Sequence, residues 1–327
     1  MCRLLGYCCR RETPVAGLIG EEALREFTAL SAFHSDGWGV GWYETDRPHL
    51  RRSAQRAEVE PGYRRLTHSP LSDIGLVHLR WATPGLPPSG HNTHPFRYGP
   101  YLLAHNGAIH PQSRLAEMLP AKWERRLHGT SDSERYLLHI MWRLEARDGD
   151  MVAAIADTVT DISSRFAVNS LNAIVLSPQA MYAVSWHDPG RLPEAELRQR
   201  GALTTPEEIA GYFHLAYRVT GDAVVAASSG WPQPGWTVLP NGSVLVVDRG
   251  TLDTSVVSLD RAAAMVNGGR LDGAHEASFP GKPQSRSPGG HAYYVEANRQ
   301  NGRTSESHPN RQARASAVEG RLDPHRE

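Results

Sequence analysis

Two helical patterns stand back to back in the middle of this chain, with strand patterns on both sides of them. Leu137, Ile140, Met141 and Leu144 recur at the spacing of one helix face. Ser131-Asp132-Ser133-Glu134 in front of them reads as a capping box. Residues 150–165 carry a second helix. Before the pair come "GWGVGWY" (37–43), "IGLVHLRWA" (74–82) and "PYLLAHN" (100–106). After it come "NAIVLS" (172–177) and "AMYAVSW" (180–186), a hairpin around Pro178-Gln179, and then "DAVVAASS" (222–229) and "GSVLVVD" (242–248). One earlier helix is predicted over 21–33. A doubly wound sheet needs strand and helix to alternate. Strands, then helices, then strands again predict an α+β fold instead: antiparallel sheets in a sandwich, with helices packed outside.

Not all of the chain joins that sandwich. Hydrophobic residues make up 40% and charged residues 21% of the 327 residues, which suits a full-sized core. Residues 1–260 are predicted to fold as one domain. From about 268 to 327 the sequence turns to Gly, Pro, Ser and Arg, with almost no apolar pairs at helix or strand spacing. Such a segment cannot bury enough surface to offset its ordering entropy, so a disordered tail is predicted there.

Charge and cysteine usage exclude several classes. The formal net charge is zero, which argues against nucleic acid as a partner. No stretch reaches the ~18 apolar residues of a membrane span, and the opening "MCRLLGYCCRRETP" has no apolar h-region. The three cysteines, Cys2, Cys8 and Cys9, form no disulfide framework and no zinc spacing. A reduced, soluble, cytoplasmic protein without a membrane partner is expected.

Several segments carry chemistry. Cys2 follows the initiator methionine and is small, a setting in which Met1 is removed efficiently. A terminal cysteine then offers a thiol and a free α-amine on one residue. Arg80 lies on an apolar strand face with Ile74, Leu76 and His78, opposite Val77, Leu79 and Trp81. A buried arginine needs an anionic partner, either an internal Asp or Glu or a substrate carboxylate. Thr83 at the strand end adds a hydroxyl. Asn106-Gly107 reads either as a turn or as an oxyanion hole, an amide and a backbone N–H that receive developing negative charge. Asp132 opens a helix, and its carboxylate either compensates the helix dipole or holds a substrate ammonium.

His34, His78, His91, His94 and His105 invite a metal reading, but no pair has a known zinc spacing. No metal and no cofactor are expected, and His34, His94 and His105 are read as bracing turns. The glycines of "DGWGVGW" precede no helix start, so they are read as close backbone approaches or bulges and not as a phosphate loop.

Together these residues fit one substrate type. A zwitterionic amino acid with a side-chain amide needs an arginine, an aspartate, an oxyanion hole and a nucleophile. The terminal amine has a reference pKa near ~7.7–8.0, so it can act as the base for its own thiol.

The motifs Met1-Cys2-Arg3-Leu4-Leu5-Gly6-Tyr7, His34 to Trp42, Arg80-Trp81-Ala82-Thr83, Asn92-Thr93-His94-Pro95-Phe96, His105-Asn106-Gly107 and Ser131-Asp132 occur in order. In this the chain resembles the class II glutamine amidotransferases, N-terminal-nucleophile (Ntn) hydrolases with an αββα sandwich, as far as about residue 258. The resemblance implies that Cys2 is the nucleophile and that Asn106 and Gly107 form the oxyanion hole. It implies that Arg80 and Thr83 hold the glutamine carboxylate, and Asp132 the α-ammonium. It is nearest to stand-alone members, a group that includes the γ-glutamyl amidase of ergothioneine biosynthesis.

In the late strand this chain reads Ser228-Ser229-Gly230 where those proteins usually read Ser-Glu-Pro. The implied partners are glutamine or a γ-glutamyl small molecule, and a separate ammonia-using synthase chain if ammonia is the product passed on. An aromatic loop, "GWPQPGW" (230–236), is read as able to line a wide mouth for a bulky amine. The competing readings are a hydrolase for another acyl group, a catalytically silent glutamine-binding regulatory subunit, and a metal-dependent hydrolase built on the histidines.

Overall fold

A computed structural model describes residues 2–82, 92–199 and 205–262. Thr83 and the 268–327 tail lie outside the described residues.

Two antiparallel sheets form the centre. The first has seven strands, in the order Thr237–Val238, Leu215–Val219, Ala223–Ser228, Arg3–Cys9, Ile74–Leu79, Trp38–Glu44 and Arg47–Ser53. The second has six, in the order Thr254–Ser258, Ser243–Asp248, Ala180–Ser185, Asn172–Leu176, Tyr101–Asn106 and Phe96–Tyr98. Between them lies one apolar layer, with Leu4, Cys8, Leu76 and Val224 from the first sheet meeting Leu102, Ile174, Met181 and Leu245 from the second.

Each outer face is covered by helices. Leu5, Tyr7, Val77 and Val225 pack against Leu24 and Phe27 of the helix Glu21–Ala29 and Tyr63 of Pro61–Thr67. Leu103, Val175, Val184 and Val244 pack against the helices Asp132–Ala146 and Met151–Arg165. Each fully buried side chain of this size contributes roughly 1.5–3 kcal/mol. The result is the αββα order of layers. No helix among the described residues is long and apolar enough to cross a membrane.

The helix pair forms where the sequence places it. Leu137, Ile140, Met141 and Leu144 are buried on one face of Asp132–Ala146, and Asp150 caps Met151–Arg165 by accepting from the Ala153 N–H at 3.0 Å. The capping box is a correction. Ser131 does cap, accepting from the Ser133 N–H at 3.2 Å. Glu134, however, turns away from the cap and accepts from the N–H groups of His128 (2.9 Å) and Gly129 (2.7 Å). Its carboxylate shapes the loop before the helix.

The glycines of 37–41 serve backbone approach. Gly37 has φ +132°, and a Cβ on Gly39 would overlap the His94 carbonyl. The strand Arg3–Cys9 is a central strand that the pattern did not reveal. All of its residues are buried, so no polar alternation marks it.

Candidate active site

The ends of both sheets and one helix start converge on Cys2. The ladder between the first strand and its neighbour ends with Arg3 opposite Leu79, so Cys2 and Arg80 are the next residues on each chain. On the second sheet the ladder ends with Asn106 opposite Asn172. Cys2, Arg80, Trp81, Gly107 and Asp132 line one small cleft, together with His94, His105 and Ser133.

The Cys2 nitrogen donates to Asn106 Oδ1 at 2.7 Å, and Sγ lies 3.6 Å from the Trp81 carbonyl oxygen. The other end of that amide, Asn106 Nδ2, is buried and has no hydrogen-bond partner. One asparagine therefore holds the Cys2 nitrogen and keeps two N–H donors in reserve. Asn106-Gly107 is not a hairpin turn. Tyr101–Asn106 pairs with Asn172–Leu176, while the next strand, Ile109–His110, pairs with Ala167–Val168. A Cβ on Gly107 would overlap the Ser170 carbonyl oxygen, so only glycine lets the chain pass there.

Arg80 is 3% exposed. Its Nη1 donates to the Asp36 carbonyl oxygen at 3.2 Å. Among the described residues no carboxylate lies within 4.0 Å of it, so the internal acid partner is not found. Asp36 instead spends its carboxylate on the Ala82 N–H at 2.8 Å, which fixes the chain just after Arg80.

Asp132 is buried, and both of its oxygens already accept hydrogen bonds. Oδ2 takes the Ile109 N–H at 2.9 Å, and Oδ1 takes the Ser133 N–H at 2.8 Å. These bonds fix its orientation. Oδ1 also faces the hydroxyls of Ser131 at 3.3 Å and Ser133 at 3.2 Å, so the acceptor capacity left over lies on Oδ2, which holds one bond.

The histidines divide into two kinds. His34 is braced by Leu30 O at 2.7 Å and Tyr212 Oη at 3.4 Å. His105 is braced by Ser133 Oγ at 2.9 Å and Ser170 O at 3.1 Å. Burial pushes the His105 imidazole below its ordinary pKa, against the opposing pull of Asp132. His94 corrects the expectation that it braces a turn. Its ring packs 4.1 Å from that of His78 and edge-on to Phe96, and neither ring nitrogen of His78 or His94 has a hydrogen-bond partner. Burial drives both imidazoles well below the usual histidine pKa. The sequence pointed to these two only as members of a histidine-rich region.

The loop 230–236 is a second correction. Trp231 is buried against Phe27 and Trp236 in the helix-covered layer, and none of the loop lines the cleft. Its Nε1–H donates to Ser228 O at 3.0 Å, which folds the loop back over its own strand. At the position of the sequence departure, Gly230 lies against the Arg3 guanidinium, 3.1 Å from a would-be Cβ to Nη2. Cys8 and Cys9 are buried away from the cleft, and desolvation raises both thiol pKa values, that of Cys9 to about 11.

Comparison with known proteins adds the following. A family model described as glutamine amidotransferases class-II matches residues 1–190. The gamma-glutamyl-hercynylcysteine sulfoxide hydrolase of Mycobacterium tuberculosis is 36% identical over 116 residues, 33% of this chain and 50% of that protein. The glutamine–fructose-6-phosphate aminotransferase of Brucella abortus is 30% identical over 161 residues, 47% of this chain and 26% of that protein. The match thus spans about a quarter of the aminotransferase's length. Among solved structures, a glutamine aminotransferase class-II domain protein from Silicibacter pomeroyi superposes with a TM-score of 0.51 at 18% identity, covering 78% of this chain and 98% of that one. That likeness supports the sandwich fold.

Proposed function

This chain belongs to the class II glutamine amidotransferases, and from that premise we propose that it hydrolyses the side-chain amide of glutamine or of a γ-glutamyl amide through a γ-glutamyl thioester on Cys2. One observation carries the reading. The Cys2 nitrogen sits on Asn106 Oδ1, while Nδ2 of the same amide is buried without a partner.

Removal of Met1 turns that nitrogen into a free amine, held in place by Asn106. The amine takes the thiol proton, and Sγ attacks the amide carbon. Asn106 Nδ2 and the Gly107 N–H donate to the oxygen that gains charge. The proton passes to the leaving nitrogen, the C–N bond breaks, and ammonia or an amine departs. Water then attacks the thioester, releasing glutamate and restoring the thiol. Arg80 and Thr83 grip the glutamyl carboxylate, and Asp132 receives the α-ammonium. That no acid lies beside Arg80 among the described residues supports this assignment, because a buried guanidinium with a neutral carbonyl partner is costly unless an anion joins it.

The amine half of the substrate is set on the other side of the scissile bond. The relative named for a γ-glutamyl substrate supports a γ-glutamyl amide, and the aminotransferase relatives support glutamine with ammonia passed to a separate synthase chain. The test offers purified protein both glutamine and a γ-glutamyl anilide and follows glutamate release. A kcat/KM for the anilide at least tenfold above that for glutamine assigns an amidase. Efficient glutamine turnover only with an added synthase chain assigns an ammonia donor. Release of glutamate from neither substrate contradicts the proposal.

A further inference from the structure

We propose that Cys2, His78 and His94 form a capture site for a thiophilic divalent metal ion of the Zn²⁺ class, and that the captured ion switches the enzyme off by taking the nucleophile as a ligand. The loss of activity rests on Cys2 being the nucleophile, whereas the binding does not.

One ligand atom from each of the three residues lies within 4.8 Å of the other two. His78 is 0% exposed, and Cys2 and His94 are each 5% exposed. Neither ring nitrogen of His94 has a partner, and the His78 ring meets only the His105 backbone, outside good hydrogen-bond geometry, although each neutral imidazole has one donor and one acceptor to satisfy. Leaving such groups unpaired in an interior is unfavourable. The neighbouring His34 and His105, by contrast, have both nitrogens bonded.

One sulfur and two imidazole nitrogens suit Zn²⁺ and its softer neighbours, and do not suit Mg²⁺ or Ca²⁺, which take oxygen ligands. Tetrahedral Zn²⁺ with Zn–S near ~2.3 Å and Zn–N near ~2.05 Å sets ligand atoms roughly 3.3–3.6 Å apart, so no pair has to close by more than about 1.5 Å. The shift falls on the two that lie outside a ladder, and it is made against the bond from the Cys2 nitrogen to Asn106 and the close approach of the His94 carbonyl to Gly39. Cys2 precedes the first laddered residue of its strand, and His94 precedes the strand Phe96–Tyr98; only His78 is fixed within a ladder. Binding replaces the S–H bond by a metal–sulfur bond, with the proton released to solvent. The imidazoles contribute lone pairs, and no electron is transferred. A thiolate so held cannot attack a carbonyl.

The test uses full-length, metal-free protein with Co²⁺ as a spectroscopic probe. One equivalent of Co²⁺ per chain is expected to give a thiolate-to-cobalt charge-transfer band that Zn²⁺ displaces. The Cys2→Ala variant, which keeps Cys8 and Cys9, is expected to lack it. In wild-type protein Zn²⁺ should lower glutamate release at least tenfold, with full return on adding a chelator. His78→Gln and His94→Gln should each raise the Zn²⁺ concentration for half-inhibition at least tenfold. No stoichiometric thiolate band in the wild type, or Zn²⁺ inhibition indifferent to both histidine variants, would overturn the site. Activation by Zn²⁺ would overturn the inhibitory role. Metal-free protein that binds Co²⁺ with the band but never releases glutamate would leave the metal site standing and sink the catalytic reading instead.

Discussion

Arg80 and Arg249 are both drawn into the protein, yet they are satisfied in opposite ways. Arg249 grips Asp73 through Nε at 2.9 Å and Nη2 at 2.7 Å, and its Nη1 reaches the carbonyls of Thr45 and Pro178 at 2.9 and 3.0 Å. Arg80, 3% exposed, has one carbonyl partner at 3.2 Å and no acid among the described residues. The histidines repeat the contrast: His34 and His105 are fully bonded, His78 and His94 not at all. Five of the eleven buried side-chain nitrogens without a partner, among the described residues, belong to His78, His94 and Asn106 around one thiol. Saturated polar groups hold the sandwich together. Unsaturated ones gather near Cys2, where the proposed function would have a substrate meet them.

The largest expected break in this contrast is at Asn106. Asn106→Ala removes a donor that matters only when charge develops, so kcat should fall about 10²–10³-fold with a much smaller change in KM. Steady-state kinetics on glutamine reads this directly. Normal turnover would return Asn106 to a purely structural role.

The two arginines should separate next. Arg80→Ala should raise KM for a glutamyl substrate about 10–150-fold, from a charge-assisted hydrogen bond worth roughly 1.5–3 kcal/mol. Its melting temperature should change little beside that effect. Arg249→Ala should do the reverse, leaving KM alone and lowering stability by roughly 1–3 kcal/mol as Asp73 loses its partner. Parallel kinetics and denaturant melts distinguish the pair, and equal effects of both variants on KM would erase the contrast.

A separate effect on stability alone, with no change in KM, concerns the buried histidines that carry hydrogen bonds, His34 and His139. Burial holds His34 well below the usual histidine pKa and His139 down at about 4. The unfolded chain binds these protons near pH 6.5 and the folded chain does not, so stability rises with pH across that window. It should be fully present above about pH 6.5 and fall by roughly 1.4 kcal/mol per pH unit per histidine as the pH drops towards 4. Denaturant melts at pH 7, 6 and 5 check the slope, and His139→Gln should flatten it.

Much of this was legible because the chemistry sits in short motifs. Cys2, Arg80, Asn106, Gly107 and Asp132 were nameable from residue type and local pattern, and the fold places them around one cleft. Thr83 lies outside the described residues. The two long helices were legible because one face alternates at helical spacing. The first strand was not, since a strand buried on both faces leaves no alternation. Nor was the fate of Glu134, because a capping box and a loop clamp share one local sequence and differ in where the loop arrives. The 230–236 loop misled for a similar reason: its tryptophans read as a binding surface, while Phe27, distant in sequence, had already claimed Trp231. The Cys2–His78–His94 cluster has no sequence signature at all, because its members come from three separate segments.

The proposed mechanism requires an acyl group carried by Cys2, so the most direct measurement traps it. Purified protein is mixed with a γ-glutamyl substrate, quenched in acid within the first turnovers, and mapped by intact and peptide mass. The expected result is a chain that begins at Cys2, with one glutamyl group on its N-terminal peptide and none on a Cys2→Ala variant. Full turnover by protein that retains Met1, or a glutamyl group on any other residue, would contradict it.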